Sequence, residues 1–296
     1  MRTWQTGTTE VARGVFAYVQ AHGGLCVANA GLIGGRAGVT VIDALFTPAM
    51  TRALLEEASR VGGGRIERLI NTHHHVDHTL GNAAFPPDTR IVAHAKAKAE
   101  MERAGLGVLP LIERIAPHFR GALDGARERL PDATFDGDAL ELEADGRRVQ
   151  LRHYGTGHTR GDVVVYLPEE RVLFTGDLAF FYVTPLGHEG HPGNWIAIAE
   201  RIIDSVDAET IVPGHGPVGA ASDWRKMIGY LRLVRDGARR AFDAGAPEAE
   251  AVRSIDLGEY AEWTEAERIA PNVARCYQEF RGELDTIIEG QPKESL

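Results

Sequence analysis

The chain has 296 residues, 44% hydrophobic and 25% charged, enough apolar material for a packed core in one large domain or two smaller ones. Its formal net charge of -10, with no Lys/Arg-rich run, argues against partners held by charge alone, such as nucleic acid or an anionic membrane surface. No run approaches the roughly 18 apolar residues of a transmembrane helix, residues 1–10 lack the apolar core of a secretory signal, and two distant cysteines, Cys26 and Cys276, give no disulfide framework. A cytoplasmic protein is expected.

Taken in chain order, Val15–Val19 and Leu25–Ala28 are apolar runs separated by Gly23-Gly24 and read as strands. The β-branched stretch Gly38–Asp43 reads as a buried strand. A helix then starts with Thr47 as N-cap and Pro48 at the first helical position, and Gly62-Gly63-Gly64 stops it. Ile66–Asn71 is a short strand that runs into a histidine cluster. Arg90–Ala93 is another, followed by a helix over Ala95–Arg103. Residues 105–135 read as helix and loop. Val149–His153, Asp162–Leu167 and Arg171–Thr175 are strands, and Trp195, Ile198, Ile202 and Ile203 mark an amphipathic helix. The strand Thr210–Val212 ends in Pro213-Gly214-His215-Gly216-Pro217. From residue 221 the periodicity of Trp224, Met227, Ile228, Leu231 and Val234 is helical. Strands and helices alternate, so sheets covered by helices are expected. The division falls near 220: a catalytic domain over 1–220 and a C-terminal helical extension over 221–296 packed on it.

Chemistry concentrates where loops follow strands. In Thr72-His73-His74-His75-Val76-Asp77-His78, residues two apart in an extended segment point the same way. His73 and His75 therefore face one point and His74 faces away. Imidazoles and a carboxylate are the ligand set of zinc or iron. Gly157-His158-Thr159, Gly176-Asp177 and Gly214-His215 are each weak alone and become informative together. His73, His75 and His158 would form one tetrahedral site completed by water, Asp77, His78 and His215 a second, and Asp177 would bridge them. Tyr182, His188 and His191 lie between Asp177 and the amphipathic helix and are candidate substrate contacts. His94, after a strand, is a candidate partner of a ligand; His22, His118 and His153 receive no role. The aromatics Phe180, Phe181, Tyr182 and Trp195 are readable either as core or as the wall of an apolar or aromatic substrate site.

From about Val15 to Pro217 the chain resembles the metallo-β-lactamase-fold hydrolase superfamily. His73-His74-His75-Val76-Asp77-His78 matches the signature His-x-His-x-Asp-His, and the motifs around His158, Asp177 and His215 follow in the family's order. The resemblance implies an α/β architecture: a four-layer αββα sandwich of two mixed sheets flanked by helices, with the site at one edge between the sheets. It implies two metal ions per chain, usually zinc, with iron or manganese among relatives. Aspartate at 177 resembles the glyoxalase II and lactonase branches, whereas many secreted β-lactamases of the fold carry cysteine or another residue there. The helical tail is similar in placement to that of glyoxalase II, but the tail lacks a basic cluster suited to glutathione carboxylates.

The expected reaction is hydrolysis of a small-molecule ester, thioester, lactone or related bond by water activated between the metals, with Asp77 orienting that water and passing a proton to the leaving group. The alternatives are a mononuclear iron oxygenase resembling sulfur dioxygenases, a specialised ether hydrolase or lactamase, a phosphodiesterase, and a non-catalytic metal-binding protein. Association of like chains through the C-terminal helices is a further expectation.

Overall fold

The computed structural model describes residues 3–35, 38–62 and 65–284. Among these, one seven-stranded sheet runs in chain order: β1 (Gly7–Ala12), β2 (Val15–Val19), β3 (Ala30–Gly34), β4 (Val39–Ile42), β5 (Ile66–Ile70), β6 (Arg90–His94) and β7 (Ala133–Phe135). Pairing is antiparallel from β1 to β4 and parallel from β4 to β7. The second sheet has five strands: β8 (Ala139–Ala144), β9 (Arg147–Arg152), β10 (Val164–Leu167), β11 (Val172–Phe174) and β12 (Thr210–Val212), with β12 at one edge and β8 at the other. Here β8 to β11 are antiparallel, and β11 pairs parallel with β12.

The helices are α1 (Pro48–Gly62), the single turn α2 (Val76–Thr79), α3 (Ala95–Ala104), α4 (Leu109–Ile115), α5 (Pro192–Ser205), α6 (Ala221–Asp243), α7 (Glu248–Ser254) and α8 (Ile269–Arg281). Thr47 caps α1 as expected, its Oγ1 accepting from Met50 N at 3.2 Å. Of the glycines expected to stop this helix, Gly62 is its last residue, and Gly63 and Gly64 lie outside the described residues.

The layers follow from the two-residue period of strands. Ile42, Ile70 and Val92 point between the sheets and meet Val165, Leu167, Phe174 and Val212. Their neighbours Val41, Leu69 and Ile91 point outward and pack under α1 against Leu54 and Ala58. On the far side Val164, Tyr166, Leu173 and Ile211 face a core built from Trp195, Ile198 and Ile202 of α5, Trp224 and Met227 of α6, and Val273 and Cys276 of α8. Helix, sheet, sheet, helix is thus the order of layers, and the C-terminal helices share one hydrophobic core with α5.

Three strands escape the sequence reading. β1 is a half-buried polar edge, Gly-Thr-Thr-Glu-Val-Ala. β7 has three residues inside the stretch read as helix and loop. β8 is Ala-Leu-Glu-Leu-Glu-Ala, made of strong helix formers, yet its glutamates are exposed and its leucines half-buried in strand alternation. Conversely, the strand expected at Leu25–Ala28 is a turn: Val27 N donates to Gly24 O at 3.2 Å and Cys26 takes a left-handed φ of 60°. The strand starts only at Ala30.

Candidate metal centre

β9, β11 and β12 run in the same direction, so the loops at their C-terminal ends, carrying His158, Asp177 and His215, open at one edge of their sheet. β5 delivers the histidine cluster to the same place from the other sheet. The close approach depends on glycine. A Cβ on Gly214 would stand 1.9 Å from Asp177 Oδ1, and Gly176 takes a φ of 49°. Asn29 fastens the His215 loop from across the sandwich: its backbone N–H donates to Gly214 O at 2.7 Å, and its Nδ2 donates to Pro213 O and Gly216 O at 2.9 and 2.8 Å.

Seven side chains converge there. The ligand-type atoms of His73, His75, His158 and Asp177 lie within 4.8 Å of one another, as do those of Asp77, His78 and His215. Asp177 stands between the groups. Its Oδ2 is 3.3 Å from His158 Nε2, 3.9 Å from His73 Nε2 and 3.4 Å from His215 Nε2, and its Oδ1 is 3.0 Å from His78 Nε2. Asp77 Oδ2 is 3.4 Å from His215 Nε2 and 3.9 Å from His78 Nε2.

The outer nitrogens decide whether cations fit. Thr72 Oγ1 donates to Asp43 Oδ2 at 2.8 Å, so it accepts from His73 Nδ1–H at 3.0 Å. His78 Nδ1–H donates to Asp43 Oδ2 at 2.8 Å, and His215 Nδ1–H to Val27 O at 3.1 Å. Each partner occupies the outer nitrogen, so Nε2 is the atom that faces inward and could serve a cation once its proton is displaced. His73 Nε2 is buried with no hydrogen-bond partner among the described residues. His75 is turned the other way round: Nδ1 meets His158 Nε2 at 2.9 Å, and Nε2 faces Glu189 Oε2 at 3.5 Å. Inward-facing imidazole nitrogens gathered around carboxylate oxygens suit divalent cations of the zinc type.

Electrostatics agree with this. Burial alone would push the Asp177 carboxyl up, yet His215, His78 and His158 outweigh it and hold it well below the usual range. Against burial, Asp177 and Asp77 lift His215 to about 9, and Asp177 and Asp43 lift His78 well above its ordinary value. Burial brings His158 down to about 4 and, reinforced by His78, holds His73 well below its usual value. The carboxylates thus demand positive charge that the imidazoles can supply only as protons; cations would take over that balance.

Glu189 and Asp43 are the residues that sequence reading passed over. Asp43 follows the β-branched strand β4 directly, at a left-handed φ of 61°, and besides the contacts above it accepts from Thr72 N at 2.8 Å. Glu189 gathers His74 Nε2 at 3.2 Å as well as His75. His74 therefore does not simply turn away: the chain bends after β5, strict alternation ends, and its ring reaches Glu189, in a cluster with His75 that lies apart from the two groups meeting at Asp177. The loop carrying Glu189 is held by α8. Arg275, buried, donates Nε–H to Gly190 O at 2.7 Å and Nη2–H to Glu189 O at 2.8 Å. Asn272 Oδ1 accepts from Gly187 N at 2.7 Å, and its Nδ2 donates to Pro185 O at 2.9 Å.

The candidate substrate contacts separate. His188 lines the cavity in front of the centre and stacks on His75 with centroids 5.2 Å apart. His191 precedes α5 and donates its backbone N–H to Gly157 O at 2.8 Å, and it does not line that cavity. Tyr182 is turned from it too; a left-handed φ of 59° sends its hydroxyl to Asp223 Oδ1 at 2.5 Å, beside Lys226. Phe181 and Trp195 belong to the core, and of the four aromatics only Phe180 reaches the cavity. His94 touches no ligand. It accepts from Lys96 N as the cap of α3 and stacks on His153 at 4.1 Å.

Two sheets between helix layers, with imidazoles and carboxylates converging at the sheet edge, define the class of metal-dependent hydrolases built on this sandwich. A family model described as the metallo-beta-lactamase superfamily matches residues 23–215, and the chain belongs to that superfamily. It is 28% identical over 190 residues to the 2,4-dinitroanisole O-demethylase subunit alpha of Nocardioides sp. (strain JS1661), covering 62% of this chain and 51% of that one. Over 217 residues it is 25% identical to the hydroxyacylglutathione hydrolase of Synechococcus sp. (strain JA-3-3Ab), covering 72% and 71%. Among solved structures, the stereoselective inverting sec-alkylsulfatase from Pseudomonas sp. shares the fold with a TM-score of 0.74 at 19% identity, over 94% of this chain and 50% of that one. The chain spans about half the length of the demethylase subunit and of the alkylsulfatase. Among the described residues no helix is long and apolar enough to cross a membrane.

Proposed function

We propose that the chain is a dinuclear metal hydrolase that cleaves an ester, thioester, lactone or related bond of a small molecule. The observation that carries this reading is the set of inward-facing Nε2 atoms of His73, His78 and His215, held by hydrogen bonds at their outer nitrogens and gathered around the two oxygens of Asp177. His73, His75 and His158 would hold one cation and Asp77, His78 and His215 the other, with Asp177 shared. Zinc suits the donor set, and iron or manganese would accept it. Bound there, the cations would bring water's pKa toward about 7 and polarise the substrate's oxygen.

The protein's own part is orientation and proton movement. Asp77 lines the cavity, so its carboxylate can take a proton from the attacking water and deliver it to the leaving group. His188 and Glu189, on the loop held by α8, flank the approach. The test is metal analysis beside turnover of an ester, thioester, lactone and lactam panel. About two equivalents of metal, turnover lost on chelation and restored on reloading, and strong loss in Asp77→Ala and His75→Ala are expected. Full activity without metal, or a single iron with oxygen uptake, would overturn the reading.

A further inference from the structure

The cavity in front of the centre, about 310 Å³, is at the small end of ligand pockets. Its walls are aliphatic. Leu25 comes from the turn before β3, Val76 and Leu80 from α2 and the turn after it, Leu106 from the loop after α3, and Leu111 and Ile112 from α4. Apart from the centre itself, few charges border it, and each is already engaged. The guanidinium of Arg129 is spread over four carbonyls, donating Nη1–H to Phe85 O and Pro86 O and Nη2–H to Pro87 O and Thr89 O. Arg268 is ion-paired with Glu265 and donates to Thr184 O at 3.0 Å. Glu189 is taken by His74 and His75, and Glu128 also has its partner.

A substrate with carboxylates away from its reacting bond would bring them against leucines, where unpaired charge is costly to bury. Both arginines that could meet them are satisfied elsewhere. An alkyl or aryl group, in contrast, gains from every methylene removed from water. We propose that the substrate is uncharged apart from its reacting group and places a compact apolar portion against α4 and α2. This assignment rests on the hydrolytic reading for the position of the reacting group and deepens it by naming the substrate class.

The test uses the full zinc-loaded chain and straight-chain alkyl hydroxamates from acetyl to octanoyl, which share one metal-seeking head and differ only in tail. Calorimetric Kd values should tighten about fourfold per methylene until the cavity is full. A hydroxamate of the octanoyl length ending in a carboxylate should bind at least about tenfold more weakly than octanohydroxamate. Leu111→Lys should weaken the longer tails and leave acetohydroxamate unchanged. A flat series, no binding of any member, or equal affinity for the carboxylate-ended probe would overturn the assignment. A clear chain-length dependence with no member of the ester, thioester, lactone and lactam panel turned over would sink the hydrolytic reading and leave the apolar pocket supported.

Discussion

Glu189 Oε2 lies 3.5 Å from His75 Nε2, on the opposite side of the imidazole from His158, whose Nε2 meets His75 Nδ1 at 2.9 Å. An imidazole that binds a cation through Nδ1 must carry its proton on Nε2, and Glu189 is the acceptor placed for it. Partners of this kind typically govern metal affinity ten- to a hundredfold. Glu189→Ala should weaken zinc binding by about tenfold or more, and Glu189→Gln, which keeps an acceptor, by less. Competition with a chromogenic chelator measures both; equal affinity in all three proteins would remove Glu189 from this role.

Asp43 plays the corresponding part for His78, and through Thr72 for His73. Asp43→Asn keeps a residue type that tolerates the left-handed φ and removes the charge. Zinc affinity should fall about ten- to a hundredfold while the far-ultraviolet circular dichroism spectrum stays unchanged. An unaltered affinity would show that the Asp43 charge is dispensable.

Arg275 ties α8 to the loop that carries His188 and Glu189. Replacing it by Met removes the guanidinium and strands the carbonyls of Glu189 and Gly190 in a buried setting. Urea unfolding should show a loss of about 2–4 kcal/mol. Zinc affinity should fall with it, because the loop no longer holds Glu189 against His75. A stability loss with unchanged affinity would confine Arg275 to packing.

The stacked pair His94 and His153 predicts a pH response. Burial, with His153 and Lys96 adding to it, pushes His94 down to about 4 from its ordinary 6.5. Because the folded value is the lower one, the unfolded chain binds more protons between those limits. The associated stability is fully present above about pH 7 and is lost as pH falls through 6.5 toward 4. His94 alone should cost about 2 kcal/mol between pH 7 and pH 5. His94→Asn keeps a helix-capping acceptor and should make the decline shallower by that amount in parallel urea titrations; superimposable declines would refute it.

The convergence of the seven ligand-type side chains is legible in the sequence because each sits within a few residues of a recognisable strand end. The motif spacing, the glycines of the later loops and the strand order suffice to bring them together. Glu189 is illegible for the opposite reason. Its partner is more than a hundred positions away, and the contact depends on Arg275 pulling a loop over His75. Asp43 looks like any aspartate ending a strand until Thr72 is beside it. Tyr182 misleads because proximity to Asp177 in the chain implies proximity in space only if the backbone continues smoothly, and the left-handed turn at Tyr182 breaks that. β8 is missed because its Leu, Glu and Ala favour helix in isolation, and only pairing with β9 imposes the strand.

The bonds from Asn29 to Pro213, Gly214 and Gly216 have a consequence for biosynthesis. Each proposed cation position combines side chains that lie far apart in the chain and follow strands of different sheets: His73 and His75 with His158, and Asp77 and His78 with His215. A nascent chain that has not yet released residue 215 from the ribosome holds at most one position, and the loop of that missing residue is what Asn29 anchors. Closing so long a loop is slow. Both proposed positions would therefore be complete only after most of the chain has been synthesised, and the one that includes His215 would wait for the loop that Asn29 anchors.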